Sequence, residues 1–169
     1  MLAYPEFTHD VAAQIDAFRA AHEPDRARMV APHVTLVFAL PDVEERTLSK
    51  WRDVTASTPA FSVSFAKARP EFDPHEGTHK LFLDCDAGSD ELSRLHIALN
   101  EAAGASVVPS YQPHMTVATN RDADRIAALD LSELPPLPFY GQVKQLVAER
   151  LEDGMLTTLA QLPLGHAAS

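Results

Sequence analysis

The sequence predicts an α+β fold in which duplicated βαβαβ units form two pseudo-symmetric lobes, with mainly antiparallel sheets around a central cleft. Three observations lead there. Apolar residues alternate between period two and period 3.6 in the same order through both halves of the chain. Each half carries one version of a short segment, Pro32-His33-Val34-Thr35 and Pro113-His114-Met115-Thr116, in its second strand. With 169 residues, 46% of them apolar, the chain can fill one compact core. A single bilobal domain over residues 1–169 is therefore expected, with lobes of about 1–70 and 79–163.

In the first unit, Leu2 to Phe7 is the first strand, and Val11, Ile15 and Phe18 give a helix from Asp10 to His22 one apolar face. Glu23-Pro24-Asp25 ends that helix, and the strand carrying His33 follows. Pro41-Asp42 opens a second helix, in which Asp42 and Glu45 form a capping-box variant and Val43, Thr47, Trp51 and Val54 the buried stripe. A strand from Phe61 to about Ala68 closes the unit.

The second unit opens with a strand from His79 to Asp86 and a helix capped by Ser89, with Leu92, Leu95 and Leu99 facing inward. The strand carrying His114 comes next, then a short helix capped by Asn120 and containing Ile126 and Leu129. The run Leu134-Pro135-Pro136-Leu137-Pro138 is a rigid connector into a strand from Phe139 to about Leu151. Asp153-Gly154 turns the chain into a last strand, Met155 to Leu162.

Charge limits the partners. Fourteen basic against 24 acidic residues leave a net charge of −10, which repels a long polyanion, so a long nucleic-acid track is disfavoured. A small nucleotide or an RNA end needs only a few local donors and stays admissible. One cysteine allows no internal disulfide, the first residues lack the pattern of a signal peptide, and no run is apolar enough to span a membrane. A cytoplasmic monomer without membrane attachment is expected.

A lone His-x-Thr in a strand is ordinary, and two copies at matching places of a repeated unit are not. Side chains alternate along a strand, so His33 and Thr35 share a face about 7 Å apart, as do His114 and Thr116. Facing strands of this kind bring two imidazoles and two hydroxyls together, a set suited to a phosphate. On these motifs the chain resembles the two-histidine (2H) phosphoesterase superfamily, near its 2′-5′ RNA ligase and cyclic phosphodiesterase branch, over nearly its whole length. The resemblance implies metal-free hydrolysis or formation of nucleotide 2′,3′ or 2′,5′ phosphodiesters in a cleft lined by both motifs.

The chemistry agrees. Opening a cyclic phosphodiester needs a base for the attacking water, an acid for the departing ribose oxygen and donors for the non-bridging oxygens. His33 and His114 suit the proton transfers and Thr35 and Thr116 the phosphate oxygens, with neither metal nor cofactor required. The expected substrates are 2′,3′-cyclic nucleotides, cyclic phosphates at RNA ends or related small cyclic phosphodiesters. The alternatives are 2′-5′ ligation by the same groups run in reverse, or a nucleotide- or RNA-end-binding module with little turnover.

Other signals are weaker. His75-Glu76-Gly77-Thr78-His79 matches the zinc-protease pattern, but Pro74, Gly77 and the alternating residues after it make it a turn entering a strand. Cys85 lies between Asp84 and Asp86, which oppose a thiolate, and reads as structural. No glycine-rich phosphate loop supports ATP use. His9, His22, His96 and His166 receive no role. Arg26, Arg28, Lys67, Arg69, Lys80 and Arg150 are each read as solvated cations. Tyr4, Phe38 and Tyr111 flank the motif strands and are able to stack a base, although Phe38 reads first as core.

Overall fold

The computed structural model describes residues 1–38, 40, 42–152 and 154–165. The elements in chain order are β1 (Leu2–Ala3), α1 (His9–His22), α2 (Pro24–Met29), β2 (Val34–Thr35), α3 (Glu45–Ala56), β3 (Phe61–Asp73) and β4 (Thr78–Cys85). They continue with α4 (Ser89–Ala103), β5 (His114–Asn120), α5 (Ala123–Ala127), a 3₁₀ turn (Leu131–Glu133), β6 (Phe139–Val143), β7 (Gln145–Glu152) and β8 (Met155–Pro163). The eight strands form one sheet in the order β6-β3-β4-β5-β2-β1-β7-β8, with every neighbouring pair antiparallel.

The motif strands β2 and β5 are adjacent at the centre of the sheet, joined through the pair Val34 and Met115. Four strands lie on each side of this seam, running outward as β5-β4-β3-β6 and β2-β1-β7-β8. The halves do not follow the expected bounds of about 1–70 and 79–163: β3, β4, β5 and β6 come from the middle of the chain, while β1, β2, β7 and β8 bring its two ends together. The chain also ties the centre of the sheet to its edge. Glu6, three residues beyond β1, exchanges backbone hydrogen bonds of 2.8 and 3.0 Å with Gln142 of β6. Three residues reach only about 10 Å, so the sheet curves strongly. Phe7, Phe65 and Phe139 pack together inside this curve, at ring separations of 5.5 to 6.1 Å. Gly141 makes room for them, since a Cβ there would lie 2.8 Å from the Phe7 ring.

Helix faces follow the sequence pattern. Ile15 and Phe18 of α1, Trp51 of α3, and Leu92, Leu95 and Leu99 of α4 are buried, and the Trp51 indole donates to the Leu99 carbonyl at 2.9 Å. The helix starts differ from expectation. Helix α3 begins after Glu44 rather than at a box of Asp42 and Glu45, with Pro41 outside the described residues. Gly88, at φ +79°, occupies the N-cap of α4, and Ser89 is its first residue. Asp122, not Asn120, caps α5 by accepting the Asp124 N–H at 3.0 Å. Pro24 does not simply end α1. It starts the short α2, where its missing N–H costs no hydrogen bond.

Strand lengths differ for reasons of pairing. The first strand stops at Ala3, and only Glu6 pairs again beyond Pro5. Strand β3 runs past Ala68 to Asp73 through Pro70, because its β6 neighbour ends at Phe65 and Pro70 then lies on an edge that needs no N–H. The strand expected from Phe139 to Leu151 breaks at Lys144, since β6 and β7 serve opposite halves of the sheet. The last turn uses Gly154 at φ +77°, while Asp153 lies outside the described residues, as does His166.

Candidate active site

The seam sets the geometry of the motifs. In an antiparallel pair centred on Val34 and Met115, His33 stands opposite Thr116 and Thr35 opposite His114. Val34 and Met115 are 0% exposed and point into the core, so their neighbours on either side point to the opposite face. His33, Thr35, His114 and Thr116 are all half-buried, which matches that alternation. His33 itself falls just before the two-residue strand β2 rather than within it. All four side chains singled out in the sequence thus occupy neighbouring positions on one face of the sheet.

Both imidazoles are anchored alike. Nδ1 of His33 lies 2.9 Å from the carbonyl oxygen of Ala31, and Nδ1 of His114 lies 2.7 Å from that of Gln112. A carbonyl only accepts, so each Nδ1 carries the hydrogen and each Nε2 is left with a lone pair. The intervening proline explains its place in the motif: it holds the residue before it extended, presenting that residue's carbonyl to the histidine two positions on.

The surroundings of the two rings differ. His114 lies across from Asp84 in β4 and stacks on Phe82, at 3.8 Å between ring centroids. Arg69 binds Asp84 at 3.0 Å and sits over the Phe82 ring. His33 instead neighbours Tyr4, at 5.9 Å, whose hydroxyl donates to Glu149 at 2.6 Å. Burial pulls His33 down to about 4, and the positive charges of Arg19 and Arg26 add to the effect against its bond to Ala31. Burial also lowers His114, and the Arg69 charge adds to the effect, against its bond to Gln112 and the carboxylate of Asp84.

A second group of residues holds the motif from behind. The hydroxyl of Tyr111 donates to the Thr35 carbonyl at 2.8 Å, while His96 Nδ1 and Asn100 Nδ2 reach the Leu36 carbonyl at 2.7 and 3.1 Å. The His96 ring stacks on Tyr111 at 3.9 Å, and its Nε2 accepts the Val108 N–H at 3.2 Å. With β2 only two residues long, these side chains satisfy carbonyls that a longer ladder would have paired. His96, given no role from sequence, is a buried structural group. The available signal was two polar residues, His96 and Asn100, beside the apolar stripe of α4.

A cavity of about 680 Å³ opens beside the first motif and takes in His33 and Thr35, with Arg26, Glu76 and Glu149 also in its wall. His114 and Thr116 do not line it; the cavity lies to one side of the seam. Phe38 corrects the expectation of a core residue, being 74% exposed on the cavity wall. Tyr111 is committed to His96 and Thr35 rather than to the cleft. Arg26 pairs with Glu76, and Lys80 is buried against Asp73 at 2.5 Å, so neither is a free solvated cation.

The rival motif is not helical. Residues 74–77 form the β3–β4 turn, with Gly77 at φ +64°, and His79 lies in β4 with its ring tilted against Phe72 at 4.9 Å. His75 and His79 therefore lack the shared helix face that the zinc-protease pattern needs. Burial pushes the Cys85 thiol up to about 11, in keeping with a structural thiol.

Comparison with known proteins agrees with this fold. No match is found among curated proteins. Of solved structures, TT0787 of Thermus thermophilus is 22% identical over 99% of each chain, with a TM-score of 0.62. E. coli LigT complexed with NADP+ is 23% identical over 96% of this chain and 95% of its own, with a TM-score of 0.63. LigT complexed with 3′-AMP is 20% identical over 98% and 96%, with a TM-score of 0.58. The family model of the 2′-5′ RNA ligase superfamily matches residues 7–152, and the chain belongs to that family.

Proposed function

We propose that this protein is a phosphoesterase that opens 2′,3′-cyclic nucleotides, cyclic phosphates at RNA ends or related small cyclic phosphodiesters, with His33 and His114 as its proton-transfer groups. The observation that carries the reading is the register at the seam, which sets His33 beside Thr116 and Thr35 beside His114 while each histidine keeps a free Nε2. Nucleotides bound to LigT support a nucleotide ligand for a chain of the same fold.

In this mechanism His33 is the base and His114 the acid. A group held near 4 is neutral at working pH and ready to accept a proton, whereas at His114 the bond to Gln112 and the carboxylate of Asp84 offset part of the lowering that burial and the Arg69 charge impose. Water loses a proton to His33 Nε2 as its oxygen bonds to phosphorus. The bond from phosphorus to one ribose oxygen breaks, and that oxygen takes the proton from His114 Nε2. The hydroxyls of Thr35 and Thr116 donate to the non-bridging oxygens, where charge develops. No step calls for a metal ion. The family description favours a second reading, 2′-5′ ligation, in which an RNA 2′-hydroxyl adds to phosphorus by the same groups.

The test is incubation of the purified protein, in EDTA, with the four 2′,3′-cyclic mononucleotides and with cyclic-phosphate-ended oligoribonucleotides, resolving 2′- from 3′-phosphate products and 2′,5′-linked dimers. Hydrolysis is expected to survive the chelator. Nucleotide binding without turnover of any substrate would leave only a binding module.

A further inference from the structure

We infer that the buried pair of Arg19 and Glu23 is a positioning device of the active site, which holds the segment presenting His33 where no strand partner does. This rests on the role proposed for His33 above and names what keeps its ring in that role. Arg19 in α1 and Glu23 just beyond it are 2% and 4% exposed, and Arg19 Nε donates to the Glu23 carboxylate at 2.6 Å. The guanidinium also donates from Nη1 to the Val30 carbonyl at 2.9 Å, and the other carboxylate oxygen accepts the Thr119 hydroxyl at 3.2 Å. One ion pair thus joins α1 both to the residues leading into the first motif and to β5, the strand of the second.

The two motifs are supported unequally, and the pair makes up the difference. His114 begins the seven-residue β5 opposite Asp84 of β4, and the Pro113 carbonyl before it accepts the Cys85 N–H at 2.9 Å. Residues 30–33 belong to no strand, and β2 beyond them is two residues long. Among the described residues, Arg19 is the only side chain other than His33 that bonds to the backbone of residues 30–32. Its hold reaches the imidazole through a short, stiff path. Arg19 fixes the Val30 carbonyl and so the plane of the next peptide, Pro32 holds Ala31 extended, and the Ala31 carbonyl accepts from His33 Nδ1 at 2.9 Å. That last bond keeps the hydrogen on Nδ1 and the lone pair on Nε2. Stability alone is a poor reason for such a pair, since apolar side chains of similar volume often serve a core as well or better. Burial pushes the Glu23 carboxyl up even against its bonds from Arg19 and Thr119. What an apolar pair lacks is the guanidinium fork, which holds a carboxylate and a carbonyl at once.

The experiment compares wild type with two variants. The triple variant Arg19→Met, Glu23→Leu, Thr119→Val removes both charges and the hydroxyl together, so that neither charge is left buried alone. Arg19→Lys keeps the charge and loses the fork. Imidazole nitrogen NMR at neutral pH reads the tautomer of each histidine, urea denaturation reads stability, and steady-state kinetics on a 2′,3′-cyclic mononucleotide read turnover. In wild type His33 and His114 should each show one tautomer, with the hydrogen on Nδ1. In the triple variant the urea midpoint should be equal or higher, His33 should show both tautomers, and His114, held by β4, should be unchanged. Its kcat should fall roughly 10- to 100-fold, the order expected for a misplaced catalytic group, with KM within about twofold of wild type. Arg19→Lys should lie between the two in tautomer mixing and in kcat.

A single Nδ1–H tautomer at His33 in the triple variant would overturn the proposal, and so would mixing at His33 and His114 alike. A lower urea midpoint with kcat intact would make the pair a stabilising element only, which also overturns it. If the triple variant does not fold, Arg19→Lys decides: mixing confined to His33 supports the proposal, and an unmixed His33 overturns it. Turnover is scored separately. Mixing confined to His33 in a protein whose wild type hydrolyses nothing would keep the positioning role and reject the phosphoesterase, while hydrolysis that both variants retain in full would do the reverse.

Discussion

Acidification should destabilise the protein through His33, by an amount that follows from its burial. An unperturbed histidine titrates near 6.5, and in the folded protein His33 is pulled down to about 4. The unfolded chain therefore takes up the proton first. Stability is fully present above about pH 6.5 and is lost as the pH falls toward 4, below which this group costs nothing more. At roughly 1.4 kcal/mol per pKa unit the full loss is about 3 kcal/mol, of which about 2.5 kcal/mol has gone by pH 4.5. That is a large part of a typical domain's stability.

Carboxylates also respond over this range. Glu23, buried and raised, and Asp73, lowered by its contacts with Lys80 and the turn, shift the balance in opposite directions. His33→Gln removes the titration and leaves those groups in place, so the comparison isolates His33. Urea denaturation followed by Trp51 fluorescence at pH 7.5 and 4.5 is the assay. Wild type should lose about 2.5 kcal/mol more than His33→Gln between the two conditions. If both proteins lost the same amount, the buried neutral imidazole, and with it the assignment of His33 as base, would be wrong.

His33→Ala and His114→Ala should each lower kcat on a cyclic nucleotide by roughly 100-fold or more, with strongly non-additive effects, and Thr35→Val and Thr116→Val should cost less; steady-state kinetics of the four variants and the double histidine variant decide it. The kcat/KM profile should peak on the acid side of neutrality, rising near pH 4 as His33 loses its proton and falling below pH 6.5 as His114 does, and a peak in the alkaline range would refute it. Tyr111→Phe should cost about 1 kcal/mol by thermal or chemical denaturation, the worth of its hydrogen bond to the Thr35 carbonyl, and should lower kcat more than it changes KM. Gly88→Ala should destabilise by roughly 1–3 kcal/mol in the same denaturation assay, because a Cβ at φ +79° would lie 2.5 Å from the Ser62 carbonyl.

Much of the candidate site was legible because its signals are local. Period-two alternation alone put His33 with Thr35 and His114 with Thr116, and the helical spacing of Leu92, Leu95 and Leu99 identified the buried face of α4. The proline before each histidine marked the motif, although its use in presenting the Ala31 and Gln112 carbonyls emerged only with the bonds. Pairing between distant segments has no such signature. That β3 crosses to the half-sheet of β4, that β6 and β7 part at Lys144, and that β2 meets β5 at Val34 and Met115 depend on contacts far apart in sequence. Exposure of Phe38 and the anchoring of Leu36 by His96 and Asn100 were likewise decided by three-dimensional packing. An apolar ring is exposed or buried, and a polar one satisfied or not, according to what the rest of the chain places against it. The sequence by itself determined which side chains share a strand face; the tertiary structure decided which strands stand side by side, and so which histidine faces which threonine.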